Sequence, residues 1–264
     1  MIANEDIKLK LVDYHDNFKE MSRTYDKSDQ HGSELEALLD RFSHFVTNES
    51  NKEAWNRLDQ QELGLLDGFV SEIREASALC VAMMEKYRAV RLRSGYAAIA
   101  DYFKNIEACI EKEFGGFSIL PESKVLLIGS GSFPMTPLLI AKRTGAEVVG
   151  IDIDEEAITL GREVIALLGS GLPIRLENLP AEQLPYAREA THIIFSSTVG
   201  KKYELLDRLH SITNEHVVVA MRYGDGLKSL FNYPMQEIEW GKWRLSDRIL
   251  RPDQIFDVAL YTKI

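Results

Sequence analysis

The chain has 264 residues, 45% of them hydrophobic and 27% charged, and a formal charge of −10. Such a composition supports a sizeable globular core. It offers no low-complexity tract and no repeat, no run near the ~18 apolar residues of a membrane span, and no leader-like N-terminus, so a cytoplasmic location is expected. The acidity disfavours a phosphate backbone as partner, and the short basic run "RAVRLRSG" at Arg88 to Gly95 reads as arginines on a solvated helix face.

From Ile7 to about Phe114 apolar residues recur at three and four positions, and proline is absent. This is helical periodicity and predicts an all-α bundle of about five helices, with turns at "DQHGSE" and "TNESNKEAW". Cys80 and Cys109 fall in apolar helical contexts without C-x-x-C spacing, so packed core thiols in a reducing compartment are expected. The six histidines show no ligand spacing, and no metal is expected.

At "EFGGFSILPESK" the periodicity stops, which puts a boundary near Gly115 to Glu122. Residues 1–118 then form a helical substrate or lid domain and residues 119–264 a second domain. In the second part "KVLLIG", "AEVVGID", "LPIRLE", "THIIFSS" and "HVVVAMR" are continuous apolar runs, as in strands buried on both faces of a parallel sheet. Helical segments alternate with them, and "QEIEWGKWRL" and "IFDVALYTKI" read as two closing antiparallel strands. The fold class is α/β: a helical bundle followed by a Rossmann-like, doubly wound sheet of the methyltransferase type.

The first of these strands delivers the chain into "GSGSFP". Gly129 and Gly131 remove Cβ atoms where the backbone turns and approaches a ligand, Ser130 lies between them, Ser132 is the expected N-cap, and Pro134 opens the helix. The second strand ends at Asp152, about 23 residues on, where a carboxylate can accept both ribose hydroxyl protons. An adenosine ligand follows. Pro134 stands where dinucleotide-binding loops carry a third glycine, which weakens a pyrophosphate and favours S-adenosylmethionine. Asn178 and Leu179, after the third strand, then sit where adenine is touched; Ser196 and Thr198, after the fourth, face the sulfonium.

Several motifs resemble one family. "IGSGSFPMTPLLIA" resembles the G-S-G-x-x-P-x-T loop of nicotianamine synthases, "DYFKNIE" their Y-x-x-N segment, and "VVVAMRYGDGLKSLFNYP" their segment ending in Tyr-Pro. "GIDID", "THIIFSST" and "RPDQIFDVALY" are most similar to the bacterial branch, the staphylopine-type histidine 2-aminobutanoyltransferases. The resemblance implies transfer of the 3-amino-3-carboxypropyl group of S-adenosylmethionine to the α-amine of histidine, with a leaning to the D-isomer, and release of 5′-methylthioadenosine. It also implies a product that an opine dehydrogenase would convert into a metallophore. Oligomeric state is left open, a homodimer included. The alternative on the same fold is a small-molecule methyltransferase, although the Asn/Asp-Pro-Pro-Tyr turn of amine and amide methylation is replaced here by "SSTVG".

Amine attack needs a general base, because free α-amines are mostly protonated near pH 7. Glu85 aligns with the glutamate that lies near the reacting amine in nicotianamine synthases, and Tyr102 with the tyrosine of their Y-x-x-N segment; Glu72 and Glu75 are the alternatives to Glu85. Asn105 is expected to orient a substrate, and Arg222 to pair with a substrate carboxylate or to form a structural ion pair.

Overall fold

The computed structural model describes residues 2–95, 118–238 and 241–264. They form two compact units that interleave along the chain. One unit comprises residues 1–87, 223–235 and 251–257, and the other 88–222, 236–250 and 258–264. Residues 223–235 and 251–257, assigned from the sequence to the sheet domain, therefore fall with the helices.

The helical unit is built from α1 (Ile2–Thr24), α2 (Asp29–Thr47), α3 (Glu49–Asn56) and the greater part of α4 (Gln60–Arg93). Its core is aromatic. Phe42 meets Phe18 edge-on at 4.9 Å and stacks at 5.3 Å on Phe231, which arrives with Leu227 and Leu230 from the late segment. The two stretches expected to be turns are helical instead: "DQHGSE" is the first turn and a half of α2, and "ESNKEAW" lies in α3. The side chains of Ser28 and Asn48 cap these helices, accepting from the amides of His31 (3.3 Å) and Asn51 (3.1 Å). Capping outweighs the low intrinsic propensity of the polar residues that follow. The late segments are fastened by a buried ion pair, Lys228 Nζ to Asp257 Oδ1 at 2.7 Å, and Lys228 also donates to the carbonyl of Arg251.

The sheet unit carries seven strands in the order β3-β2-β1-β4-β5-β7-β6. These are β1 (Lys124–Ile128), β2 (Glu147–Ile151), β3 (Ile174–Glu177), β4 (His192–Phe195), β5 (Val218–Tyr223), β6 (Trp243–Ile249) and β7 (Asp257–Lys263). β1 to β5 pair in parallel, and β6 pairs antiparallel with β7, as the apolar runs predict. The central strands are buried almost throughout, which explains why they lack alternation. Helices α5 (Met135–Thr144), α6 (Glu155–Leu168) and α7 (Lys202–Leu209) make the crossovers. Strand order runs one way from β1 through β2 to β3 and the other way from β4 to β5. The switch point therefore lies between β1 and β4, where open α/β sheets bind ligands beyond the strand ends.

Candidate functional site

The loop after β1 is a backbone turn that only glycine fits. Gly129 has φ 84° and Gly131 φ 66°. A Cβ on Gly129 would lie 2.8 Å from a Val199 methyl and 3.0 Å from Ser196 Cβ, so the turn is pressed against the segment that follows β4. The amides of Gly129 and Ser130 both donate to the Ile151 carbonyl, at 2.9 and 3.0 Å, which ties the loop to the end of β2.

Asp152 is held from three directions. Its Oδ2 accepts from the Gly131 amide at 2.9 Å, its Oδ1 from the Asp154 amide at 3.1 Å, and its carbonyl from Asn178 Nδ2 at 2.8 Å. Each carboxylate oxygen keeps lone-pair capacity for a further donor, as a ribose diol requires. Asn178 and Leu179 are exposed beside it. Ile153, which the sequence reading passed over, is 99% exposed, an apolar side chain placed directly after the acid. Its signal was available: an isoleucine between two aspartates at a strand end has no core to enter.

Two features of the loop suit a bound molecule. The Ser130 hydroxyl is buried without a hydrogen-bond partner, a state that costs about 1–3 kcal/mol unless a ligand group satisfies it. And α5 starts without a side-chain cap. Ser132 does not fill that position: the helix begins at Met135, and Pro134 stands at the N-cap with φ −76° and makes no side-chain cap hydrogen bond. A proline fixed at this φ starts the helix two residues later than Ser132, which is itself buried. In the first turn of α5 the Met135 amide donates to the Phe133 carbonyl at 2.8 Å, the Leu138 amide to the Pro134 carbonyl at 3.2 Å, and Pro137 has no N–H, which leaves the Thr136 amide for a polar ligand.

On the β4 side Ser196 and Thr198 stand with their hydroxyls 3.5 Å apart. Arg222, at the end of β5, is buried, and its guanidinium donates to Thr136 Oγ1 at 3.1 Å, in the first turn of α5. Residues of the β1, β2, β4 and β5 ends thus converge at the switch point. Lys202, which sequence reasoning also missed, is fully buried beneath them and donates from Nζ to the carbonyls of Ser197 (3.0 Å) and Arg222 (2.6 Å). In "GKKYELL" nothing distinguishes it from a surface lysine at a helix start.

In the helical unit Glu85 is half-buried on α4. Glu72 is exposed and accepts from Lys19 (3.0 Å) and His15 (3.1 Å), and the Lys19 hydrogen bond, followed by that of His15, holds its carboxyl below the ordinary glutamate value. That shift makes Glu72 a poorer base than an unpaired glutamate. Glu75 is exposed. Cys80 is buried, 3.7 Å from the Phe18 carbonyl, and burial pushes its thiol up to about 12, as suits a packing residue. Tyr102, Asn105 and Cys109 lie outside the described residues. Among the described residues no cluster of three or more His, Cys, Asp or Glu could hold a metal, and no helix is long and apolar enough to cross a membrane.

A doubly wound sheet with a glycine turn, a braced acid ending its second strand and an added helical unit defines a Rossmann-like fold of the methyltransferase type. The comparisons are more particular. Over 234 residues, 87% of this chain and 86% of the relative, it is 28% identical to the L-histidine 2-aminobutanoyltransferase of Pseudomonas aeruginosa. Over 233 residues, 87% of each, it is 29% identical to the enzyme of that name from Yersinia pestis. A crystal structure of MtNAS in complex with MTA and tNA shares the fold, with a TM-score of 0.78 at 17% identity over 97% of both chains. A mutant of MtNAS in complex with S-adenosylmethionine has a TM-score of 0.68 over 95% of this chain and 98% of that one. No family model matches. The resemblance drawn from the motifs to nicotianamine synthase-like aminobutanoyltransferases is thus borne out by independent comparison.

Proposed function

We propose that this protein transfers the 3-amino-3-carboxypropyl group of S-adenosylmethionine to the α-amine of histidine and releases 5′-methylthioadenosine. The observation that carries this is similarity along 87% of the chain to relatives that share one name, L-histidine 2-aminobutanoyltransferase. All three names specify the L-enantiomer, which favours L-histidine over the D-isomer expected from the staphylopine-type resemblance.

The described residues fit the cofactor. Asp152 accepts the ribose hydroxyls, the Thr136 amide and the Ser130 hydroxyl meet polar groups of the ligand, and Gly129 and Gly131 allow close approach. Ile153, Asn178 and Leu179 offer an apolar and amide surface for adenine. S-adenosylmethionine supplies a carbon already activated by its bond to a positively charged sulfur, with a neutral thioether as leaving group. The protein's tasks are orientation, removal of one proton and exclusion of water. We assign Glu85 as the base that takes the amine proton, Arg222 to the substrate carboxylate, Ser196 and Thr198 to the edge of the reacting centre, and Tyr102 and Asn105 to orienting the acceptor. The product gathers amines, carboxylates and an imidazole, a donor set suited to a metallophore, and its remaining amine can be alkylated reductively by an opine dehydrogenase.

Incubation with S-adenosylmethionine and each enantiomer of histidine, read by mass spectrometry, tests this. Equimolar methylthioadenosine and a histidine adduct of aminobutyrate are expected. Methylated histidine with S-adenosylhomocysteine would overturn the proposal in favour of a methyltransferase.

A further inference from the structure

A fully buried lysine in the sheet unit has no role in the reaction as described so far. Lys202 opens α7, and its ammonium donates to two main-chain carbonyls: that of Ser197, between Ser196 and Thr198, and that of Arg222, at the end of β5. Removing an ammonium from water costs several kcal/mol unless hydrogen bonds offset it. A chain that only needed to begin a helix there would do so with a small polar residue at the surface.

The two carbonyls are informative because of what surrounds them. Ser197 belongs to the segment against which the Gly129 turn is pressed, with Ser196 Cβ and the Val199 methyl within 3.0 Å of where a Gly129 Cβ would stand. Arg222 reaches with its side chain to Thr136, in the uncapped first turn of α5. One ammonium therefore ties the segment after β4, the neighbour of β1, to the end of β5, the next strand along. The Ser197 carbonyl belongs to the turn at residues 196–199, and the Arg222 carbonyl to the penultimate residue of β5.

We propose that Lys202 is a positioning residue for the proposed transfer, acting by clamping the Ser196–Val199 turn and the Arg222 main chain so that the adenosine-side pocket is formed before the ligand arrives. The inference rests on the adenosine reading of the site. It deepens that reading by naming the group that preorganises it.

The test uses the whole protein and methylthioadenosine as probe, with affinity measured by calorimetry well below the unfolding temperature. For Lys202→Met, which keeps the length of the side chain and removes the donors, the dissociation constant is expected to rise about tenfold or more. Lys202→Arg, which can donate to both carbonyls, should stay within about threefold of the parent. A folded Lys202→Met protein that binds methylthioadenosine as tightly as the parent overturns the proposal. Should that variant fail to fold, amide hydrogen exchange on the ligand-free parent decides: the amides of residues 197–199 are expected to exchange at least about tenfold more slowly than an unstructured chain, and exchange at the unstructured rate there overturns the proposal. A parent that binds methylthioadenosine but forms no histidine adduct overturns the reaction reading while the Lys202 test stands. A parent that does not bind overturns both.

Discussion

Helices α2 and α5 begin in opposite ways. In the helical unit α2 starts from Ser28, whose hydroxyl accepts from the first turn, and the Ser28 amide in turn donates to Asp26. In the sheet unit α5 starts from a proline with no side-chain cap, directly after a turn whose serine hydroxyl is buried and unpaired. The first arrangement is complete in itself and serves stability. The second leaves the Ser130 hydroxyl unsatisfied among the described residues, and the proposed cofactor would satisfy it.

Four substitutions can break or sharpen this contrast. The largest expected effect is on turnover alone: Glu85→Gln should lower kcat by about a hundredfold or more while methylthioadenosine affinity stays within a few-fold, as removal of a general base does. Unchanged kcat would exclude Glu85. Next, Gly129→Ala should weaken methylthioadenosine binding by about tenfold or more in calorimetry, because the new methyl meets Val199 and Ser196 at 3.0 Å or less and φ is positive. Binding equal to the parent would show that the turn is not part of the pocket. Ser28→Ala should do the reverse, costing about 1 kcal/mol in denaturant unfolding without changing affinity.

The smallest effect is a pH dependence. Hydrogen bonds from Ser28, with a smaller contribution from His31, lower the Asp26 carboxyl from 3.8 to about 2. A group whose folded value is depressed stabilises above its unfolded value and loses that contribution as pH falls through the folded one. The small difference in Tm between the parent and Asp26→Asn should therefore be full above pH 4 and vanish near pH 2. A difference that persists there would remove the charge from the explanation.

The sequence made the sheet unit legible strand by strand, because double-sided burial writes continuous apolar runs that few other structures produce. Gly129, Gly131 and Asp152 were legible for a similar reason: a turn with positive φ and a strand-end acid each narrow the choice of residue. What escaped the reading depended on partners distant in sequence. α3 is polar and eight residues long, and its cap, Asn48, carries a signal that the charged composition hides. Ser132 attracted the N-cap assignment by residue type, whereas Pro134 set where the helix could begin. Lys202 is a surface residue by every local criterion, and only the carbonyls of Ser197 and Arg222 reveal otherwise. The allegiance of residues 223–235 to the helices is likewise tertiary, fixed by Phe231 on Phe42 and by Lys228 with Asp257.

That last allegiance bears on how the molecule is made. During synthesis α1 to α4 leave the ribosome early, yet Leu227, Leu230 and Phe231 belong to their core and emerge more than a hundred residues later. Until then the nascent helices present an aromatic surface with a gap in it, open to chaperones and to unwanted association. The portion translated first thus waits for residues 223–235 and 251–257, made near the end of the chain.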